Sequence, residues 1–492
     1  MASKYLLTAI LMLVSVSATG VEPLPKREFR GAWLHTVFQG QYAQNTTAQN
    51  QAYLRDQLDR LQQAGVNVVI FQVRPQADAF YPSQLEPWSK FLSGKAGVAP
   101  SPSWDPLQFM IDECHQRGIE LHAWLNPYRV TTSAKETLPA EHLYKKEPQR
   151  FVWYAKKLYF DPGLPENRKW IEDVVRDIVR RYDVDGIHLD DYFYPYPVAG
   201  VKFPDAKSYA RYGKGMKLAD WRRKNVDLLI EGLHNVIAEE KPWVRFGVSP
   251  FGIWRNKRTD PEGSETAGLQ NYDDLYADIL LWARKGWIDY QLPQLYWDLD
   301  HKTASTLILA QWWNDHSFGR HMYVGQDVDR TMKSTAIDGS RHKTQLHHKV
   351  RLSRELPNIQ GNCWWPGYSV TANVGGVADS LSTTLQAQPA LVPSYPWISE
   401  TVPAKVSGLS TSGVTLKWKA PHVHNKTDDV VKWAVYRFDS ANDIDTDCAD
   451  ALTAIVTAPE FTPTRSGYYT VTALNRVNNE SAPVKPVYIH ID

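Results

Sequence analysis

Residues 167–197 read NRKWIEDVVRDIVRRYDVDGIHLDDYFYPYP, a helical pattern followed directly by an apolar strand. One face of the helix predicted over residues 167–181 carries branched apolar side chains at Ile171, Val174, Val175 and Ile178. The predicted strand VDGIHLDD follows at residues 184–191 and ends on two adjacent aspartates beside four aromatic rings. Parallel strands need crossover connections, so a helix that leads straight into an apolar strand is typical of folds built on a parallel sheet.

The same helix–strand unit recurs along the first 390 residues. A second example places Leu54, Leu58 and Leu61 on one helical face, with Gly65 as the stop signal before the next strand. Eight strands are predicted, in FRGAWLHTV (29–37), VNVVIFQV (66–73), IELHAWLNPY (119–128), VDGIHLDD (184–191), VRFGVSPFG (244–252), IDYQLPQLYW (288–297), HMYVG (321–325) and GNCWWPG (361–367). Eight strands separated by helical segments predict a (β/α)8 TIM barrel of the α/β class.

A doubly wound open sheet is the alternative arrangement of alternating helices and strands. Such sheets carry a glycine-rich phosphate-binding turn after the first strand when they bind dinucleotides. The first predicted strand here contains RGAWLHT, residues 30–36, and no such turn follows it. The connections after the third, fourth and fifth predicted strands are long and rich in Tyr, Pro and Asp, and in a barrel these loops lie on one face. The pattern therefore favours the barrel.

The composition changes near Pro393. The stretch VPSYPWISETVPAKV is rich in proline, and the runs VTLKWKA, KWAVYRF and GYYTVTALN after it read as alternating strands without helices. This part of the chain resembles a fibronectin type III module, an all-β sandwich. We therefore predict a barrel domain over residues 26–390, a linker over 391–402 and a fibronectin type III-like domain over 403–492. A module of this kind could bind a partner in the cell envelope.

The N-terminal sequence MASKYLLTAILMLVSVSATG predicts a secretory signal peptide over residues 1–20. It has a single basic residue, Lys4, then an apolar run and small residues near Ala18. The apolar run is too short for a membrane-spanning helix of the mature protein, and no cysteine stands near the cleavage site to carry a lipid. We expect an exported protein, periplasmic or secreted, without a transmembrane anchor.

The overall composition excludes several classes of function. Lysine and arginine number 55 and the acids 54, so the chain lacks the basic excess that nucleic-acid binding requires. Its three cysteines, Cys114, Cys363 and Cys448, are too scattered to predict a disulfide framework or a thiolate metal cluster. The 19 tryptophans are more than a core usually needs and suit flat ligands with many hydroxyls, such as sugars.

The end of the fourth predicted strand is the strongest candidate for a catalytic site. Alternation along DGIHLDD directs Ile187 and Leu189 towards the helices, and it directs His188 and Asp190 towards the barrel axis. Asp191 begins the following loop and can turn into the same cleft. Two neighbouring carboxylates separate their pKa values, which suits acid/base or nucleophilic chemistry on a glycosidic bond. The alternative is that Asp191 caps the next turn and Asp190 accepts a backbone hydrogen bond.

Other predicted strand ends carry side chains that suit sugar hydroxyls and sugar ring faces. The predicted substrate-binding residues are Trp33, Arg74, Asn126, His188, Tyr194, Gln294, Tyr296, Trp297 and Trp364. The pattern predicts a polysaccharide substrate and calls for neither a cofactor nor a metal ion.

Several ordered motifs, including EFRGAW, FQVRPQADAFYPS, LHAWLNPYR, DGIHLDDYFYP and GVSPFGIWRN, resemble the glycosyl hydrolase-like 10 family. The resemblance covers roughly residues 26–390. It implies a (β/α)8 glycosidase of the bacterial envelope. It further implies peptidoglycan glycan strands, especially strands stripped of their peptides, as the substrate.

The resemblance also assigns roles to the two aspartates. DGIHLD is similar to the fourth-strand DGxRxD motif of the α-amylase superfamily, which implies that Asp190 is the nucleophile, although His188 replaces the arginine. The chitinase motif DGxDxDxE has its acid where Tyr192 stands here, so that motif does not support a chitinase mechanism. The proton donor could be Asp191 or one of three more distant acids, Glu262, Glu265 and Asp298, and we favour Asp191.

Two other classes of protein must be weighed. A metal-dependent hydrolase would need paired histidines on the first strand, but only His35 stands there, and His342, His347 and His348 fall on a basic helical pattern. A non-catalytic glycan-binding protein would keep aromatic residues such as Trp33 and lose its acids. The intact aspartate pair favours an enzyme.

Overall fold

The structure of the protein is a computed structural model that describes residues 24–340, 344–421 and 425–491. The predicted signal peptide, residues 1–20, lies outside these residues. No helix within the described ranges is both long and apolar enough to cross a membrane.

Eight parallel strands form a closed barrel. The first ten strands in chain order are β1 (Phe29–Leu34), β2 (Val68–Arg74), β3 (Glu120–Leu125), β4 (Phe151–Tyr154), β5 (Lys157–Phe160), β6 (Gly186–Leu189), β7 (Arg245–Val248), β8 (Tyr290–Gln291), β9 (His321–Asp327) and β10 (Ile359–Trp365). Strands β4 and β5 form an antiparallel hairpin, and the other eight close the barrel in the order β1-β2-β3-β6-β7-β8-β9-β10. Each barrel strand falls within one of the eight predicted stretches or overlaps it, so the (β/α)8 prediction is confirmed and the open sheet is excluded.

Helices connect the barrel strands, and two more follow β10. In chain order they are α1 (Gln41–Gln44), α2 (Thr47–Gln63), α3 (Lys90–Ser93), α4 (Pro106–Gln116), α5 (Leu143–Lys146), α6 (Pro165–Arg181), α7 (Ala206–Tyr212), α8 (Leu218–Glu240), α9 (Asn271–Asp274), α10 (Ile279–Lys285), α11 (Thr306–Asp315), α12 (Val328–Lys333), α13 (Leu346–Glu355), α14 (Gly367–Thr371) and α15 (Val377–Ser380). Helix α2 begins with a capping box of Thr46 and Gln49, and Gly65 follows it at φ +82°, where residues with a side chain are strained.

The alternation predicted for the fourth strand of the barrel, β6, is confirmed. Ile187 and Leu189 are fully buried in the layer between strands and helices. His188 points the other way and its ring lies about 6 Å from those of Trp33 and Tyr290 inside the barrel. The next residue, Asp190, is therefore carried to the carboxyl end of the barrel, where a (β/α)8 enzyme has its active site.

The C-terminal part of the chain is all β. Its strands are β11 (Ser407–Ser412), β12 (Thr415–Lys419), β13 (Val430–Phe438), β14 (Leu452–Val456), β15 (Glu460–Phe461), β16 (Gly467–Asn475) and β17 (Val487–Ile489). They form two antiparallel sheets, β11-β12-β15 and β14-β13-β16-β17. Trp418 and Trp433 are buried in the apolar core between the sheets.

These sheets contact the amino end of the barrel. Glu120, the first residue of β3, pairs with Lys432 at 3.1 Å and accepts a hydrogen bond from Asn478 at 2.9 Å. In the connecting segment, Trp397 donates a hydrogen bond of 2.7 Å to Asp289, just before β8. The C-terminal sheets therefore lie at the end of the barrel opposite to its mouth.

Candidate active site

A cavity of about 330 Å³ opens at the carboxyl end of the barrel. Five of the residues predicted from sequence line it: Trp33, Asp190, Asp191, Gln294 and Tyr296. It is also lined by His35, Gln72, Trp124, Arg129, Tyr192, Ser249 and Trp365, among others. The fold thus brings both aspartates and aromatic rings from several strand ends into one cleft.

Asp190 is almost completely buried, with 7% of its surface exposed. Its Oδ2 accepts a hydrogen bond from the side-chain amide of Asn126, and its Oδ1 has no partner within the described residues. Burial, reinforced by repulsion from the neighbouring Asp191, raises the pKa of Asp190 to about 7. Asp190 therefore lines the cavity and keeps one buried carboxyl oxygen without a partner among the described residues.

A network of side chains fixes the amide of Asn126. Its Oδ1 accepts hydrogen bonds from Gln72 Nε2 at 2.7 Å and from Arg129 Nη2 at 2.8 Å. Both of those groups can only donate, so the amide nitrogen of Asn126 must face Asp190. The sequence prediction gave Asn126 a direct contact with substrate, whereas the structure uses its side chain to hold the Asp190 carboxyl group.

Asp191 is held from the other side of the cleft. The Tyr196 hydroxyl donates a hydrogen bond to Asp191 Oδ2, and the Gln294 amide also stabilises the carboxylate. Burial nevertheless raises the pKa of Asp191 to about 6. Between about pH 6 and pH 7 the two aspartates therefore hold one proton between them.

Arg129 supplies the positive charge of the site. Its guanidinium donates to the Pro75 carbonyl at 2.7 Å and to the Tyr192 hydroxyl, and it lies 5.5 Å from the centre of the Tyr192 ring. Its charge opposes the rise of the pKa of Asp190 and Asp191. Without this charge, burial would favour the neutral form of both acids still more strongly.

His188 lies beneath the cavity, where it supports Trp33. The Trp33 indole N–H donates to His188 Nε2 at 3.2 Å, so Nε2 is the acceptor nitrogen and Nδ1 carries the proton. Nδ1 then donates to the Tyr290 hydroxyl at 3.0 Å. Burial holds the pKa of His188 well below its ordinary value, so the ring is neutral. The predicted contact of His188 with substrate is corrected, because its ring is fully buried in this hydrogen-bond chain.

Three tryptophans form an aromatic wall. Trp365 meets Trp33 edge to face at 6.5 Å between ring centres, and it meets Trp124 in the same way at 6.1 Å. Trp364, the predicted residue, faces the opposite side and is fully buried among the helices. Alternation along β10 explains this correction, since only one of two consecutive side chains can point into the barrel.

Three more predicted residues do not reach the cavity. Arg74 is fully buried, and its guanidinium forms two hydrogen bonds with Glu86, at 2.6 and 2.7 Å. Tyr194 accepts a hydrogen bond from Asn225 and is buried away from the cleft. Trp297 packs edge to face on Phe251 outside the cavity lining. Contact with substrate is therefore withdrawn for Arg74 and Tyr194, which are fully buried, whereas the half-buried Trp297 stays a prediction outside this cavity.

The structure also places the three distant acids that could have been proton donors. Glu265 pairs with Lys257 on the surface, and Asp298 accepts a hydrogen bond of 2.6 Å from Ser334. Neither these two nor Glu262 belongs to the cavity lining, where Asp190 and Asp191 are the acids among the described residues. No group of three His, Cys, Asp or Glu side chains that could hold a metal ion occurs among the described residues.

Arg129, Gln72, Tyr196 and Trp365 complete the site. Arg129 ends the motif LHAWLNPYR and Tyr196 ends the aromatic run after Asp191, so their proximity to the fourth strand is visible in the sequence. Gln72 gives no such signal, because a glutamine inside an apolar strand reads as an ordinary strand residue.

A closed (β/α)8 barrel whose mouth holds two buried carboxyl groups and a wall of tryptophans has the architecture of a glycoside hydrolase. Residues 28–340 match the family described as Glycosyl hydrolase-like 10, and the chain belongs to this family.

Two relatives extend over most of the chain. Glycosyl hydrolase YngK of Bacillus subtilis is 39% identical over 426 residues, which are 84% of this chain and 83% of the relative. Glycosyl hydrolase DigH of Escherichia coli K12 is 41% identical over 360 residues, 68% of this chain and 81% of the relative. Among solved structures, the glycoside hydrolase domain of PgaB from Bordetella bronchiseptica is similar with a TM-score of 0.47 and 11% identity, over 73% of this chain and 99% of that one. The protein is a glycoside hydrolase.

Proposed function

We propose that the protein is an exported glycosidase that cleaves glycosidic bonds in peptidoglycan glycan strands, with Asp190 and Asp191 as its catalytic acids. The observation that carries this proposal is the pair of buried carboxyl groups that open onto one cavity and share a proton near neutral pH.

The positions of the two aspartates favour a division of labour. Because Asp190 has the higher pKa, the form with the proton on Asp191 is the minor one of the two singly protonated forms. Asp191 stands where the chain leaves the barrel, and it donates a proton to the oxygen of the departing sugar. Asp190 is held deeper by Asn126, and its negative charge stabilises the positive charge that develops at the anomeric carbon. The alternative roles, as turn cap and backbone acceptor, do not account for the side chains of Asn126 and Tyr196 that hold the two carboxyl groups.

The aromatic wall supports a sugar substrate. Trp33, Trp365 and Tyr296 present rings to the cavity, and such rings stack on the apolar faces of pyranose units. Ser249 and Gln294 add neutral polar groups that can bind hydroxyls. A non-catalytic glycan-binding protein would use the same rings, but it would have no use for buried carboxyl groups whose pKa values are raised to the neutral range.

Export and the choice of peptidoglycan rest on the N-terminal sequence and on the family resemblance. The C-terminal sheets lie at the amino end of the barrel, away from the cleft. We propose that this fibronectin type III-like part, predicted over residues 403–492, serves as an accessory that could contact an envelope partner while the cleft remains open.

The test is mass spectrometry of peptide-free peptidoglycan glycan strands after incubation with the mature protein, with Asp190→Asn and with a control, Asp289→Asn. Asp289 is a buried aspartate at the opposite end of the barrel, where its carboxylate accepts a hydrogen bond of 2.7 Å from the Phe246 amide. We expect short oligosaccharides from the wild type and the control, and intact strands from Asp190→Asn.

Intact strands from all three folded proteins would reject peptidoglycan as the substrate. Cleavage of a different polysaccharide under the same conditions would then identify the enzyme as a glycosidase of that glycan. Equal cleavage by Asp190→Asn and the wild type would reject the assignment of the catalytic acid.

A further inference from the structure

Phe38 lines the active-site cavity but is not buried in it. Its residue is 70% exposed, whereas Trp33 of the same cavity is 2% exposed. The ring meets Phe91 edge to face, with 5.8 Å between the ring centres. Hydrophobic stabilisation is proportional to the apolar area removed from water, so a ring this exposed adds little to the core. A single exposed apolar side chain is common on protein surfaces, and the backbone supplies the second observation.

The backbone of Phe38 lies in the left-handed region, with φ +63°. The amide of Gln39 donates a hydrogen bond of 3.2 Å to the carbonyl of Thr36, so residues 36–39 form a tight turn with Phe38 in third place. A positive φ at this place is normally taken by glycine or asparagine. A bulky residue there is strained, and such strain persists mainly at functional sites, where the surrounding structure enforces it.

Gln72 holds this turn and also belongs to the network around the catalytic acids. Its Oε1 accepts hydrogen bonds from the first two backbone amides of the turn, both at 2.9 Å. Its Nε2 donates to Asn126, whose amide in turn holds Asp190. One side chain thus fixes both the turn that carries Phe38 and the support of the Asp190 carboxyl group. The Phe38 ring is therefore held in a defined position relative to the active site, as a binding residue must be.

The cavity is small for a polymer. Its volume of about 330 Å³ is at the lower end of the range for ligand pockets, about 300–1,000 Å³. A polysaccharide bound at Asp190 must therefore continue over the rim. Phe38 is the one fully exposed side chain among the lining residues, so it stands where a strand leaves the cavity. Its ring offers an apolar surface on which a pyranose unit can stack.

We propose that Phe38 is a sugar-binding residue of an outer subsite, which holds a sugar of the glycan beyond those that flank the cleaved bond. This inference rests on the proposed function and adds a dependence on length: strands that extend to Phe38 bind more tightly than strands that end inside the cavity. The strained turn is retained because it directs the ring to the substrate. The ring does not touch the reacting atoms, so it stabilises the ground state and the transition state equally.

The test uses peptide-free glycan strands that are separated by size into short oligosaccharides and long strands. Steady-state rates are measured for the wild type, Phe38→Gly, Phe38→Tyr and a control, Phe318→Gly. Phe318 is also an exposed phenylalanine with a positive φ, of +50°, but it precedes β9 at the amino end of the barrel.

We expect Phe38→Gly to raise KM for long strands about fivefold with little change in kcat, because it removes binding that is uniform along the reaction. The rise in KM for short oligosaccharides should be smaller. Phe38→Tyr keeps a ring at this position and should retain the wild-type KM, and Phe318→Gly should do the same. If Phe38→Tyr loses as much affinity as Phe38→Gly, the position does not act through an aromatic ring and the proposal fails.

Denaturant titrations distinguish binding from a structural role. Glycine adopts a positive φ without strain, so Phe38→Gly should unfold at a denaturant concentration no lower than the wild type. A lower midpoint together with an unchanged KM would make Phe38 a residue that stabilises the fold through Phe91, and it would overturn the subsite.

The kinetic outcomes separate this inference from the proposed function. An equal rise in KM for short and long strands would place Phe38 beside the cleaved bond and overturn the outer subsite. An unchanged KM for long strands would also overturn it, while cleavage by the wild type would leave the proposed function intact. Strands of every length left intact by the wild type would overturn the proposed function and this inference together.

Discussion

The amide of Asn126 should set the alkaline limit of the pH range in which the enzyme is active. In the variant Asn126→Leu, Asp190 loses its one side-chain donor, and a hydrogen bond to a charged group contributes about 1.5–3 kcal/mol. At about 1.4 kcal/mol per unit, the pKa of Asp190 should rise by roughly one to two units. The donor stabilises the ionised form, so its removal favours the protonated form. Because Asp190 has the higher pKa of the pair, the alkaline limb of the pH dependence of kcat/KM should move to higher pH by roughly the same amount, and its maximum should fall.

The control is Asn167→Leu at an equally buried asparagine in α6. The Asn167 side chain accepts a hydrogen bond of 2.8 Å from Arg150 and donates to two backbone carbonyl groups, but it is not part of the cavity. Both variants should lose stability, because each removes buried hydrogen bonds. Only Asn126→Leu should displace the alkaline limb. If its limb coincides with that of the wild type while the protein is folded, Asn126 does not control the ionisation of Asp190.

Three further changes have defined outcomes. Tyr196→Phe removes the hydroxyl donor of Asp191, which has the lower pKa of the pair, so the acidic limb should move to higher pH. The acid also loses its orientation, so kcat/KM should fall about tenfold in steady-state assays, and an unchanged limb would exclude this contact. Trp365→Ala should raise KM about tenfold with little change in kcat if the ring stacks on a sugar, and a loss confined to kcat would reject that role. Lys349 is buried, and burial lowers its pKa from 10.5 to about 8. Between these two pH values the unfolded chain therefore binds one proton more than the folded chain, so the free energy of unfolding should rise with pH in this range. In denaturant titrations, Lys349→Met should remove this rise and increase the free energy of unfolding by up to about 3 kcal/mol at pH 7. If the free energy of unfolding of the variant depends on pH as that of the wild type does, Lys349 does not bury a charge.

The barrel could be predicted from sequence because its signals are local. Each strand is a short apolar run, and the helix before β2 has a stripe of Leu54, Leu58 and Leu61 with a glycine stop at Gly65. These features depend only on neighbouring residues in the sequence, so they can be recognised without knowing the tertiary contacts. Strand β8 has only two residues, although the sequence pattern IDYQLPQLYW suggested a longer strand. The proline at position 293 explains the difference, since it cannot donate to the ladder.

The site was less predictable because it depends on the direction in which each side chain points and on the residues that it contacts. Trp364 and Trp365 are chemically identical neighbours, and only the register of β10 decides that Trp365 faces the cavity. Arg74 stands at a strand end as a substrate-binding arginine would, but its partner Glu86 comes from a loop twelve residues away and neutralises it. Asp190 and Asp191 could be found because both the strand alternation and the start of the loop carry them to the mouth.

Buried carboxyl groups at the two ends of the barrel have pKa shifts in opposite directions, and this contrast indicates which end carries the active site. At the amino end, burial disfavours the charge of Glu120, but Arg245 and Lys432 hold its pKa well below the ordinary value, and Asn478 adds a donor. That carboxylate is permanently ionised and joins the barrel to the C-terminal sheets. At the mouth, Asp190 receives one neutral donor and keeps a free oxygen, so its pKa rises to about 7. A carboxylate that only stabilises the fold is most favourable when nearby donors and positive charges fully offset the cost of burying its charge, as they do at Glu120. The incomplete compensation of Asp190 costs stability, and its proposed role as a catalytic carboxyl group at the mouth explains why the fold retains it.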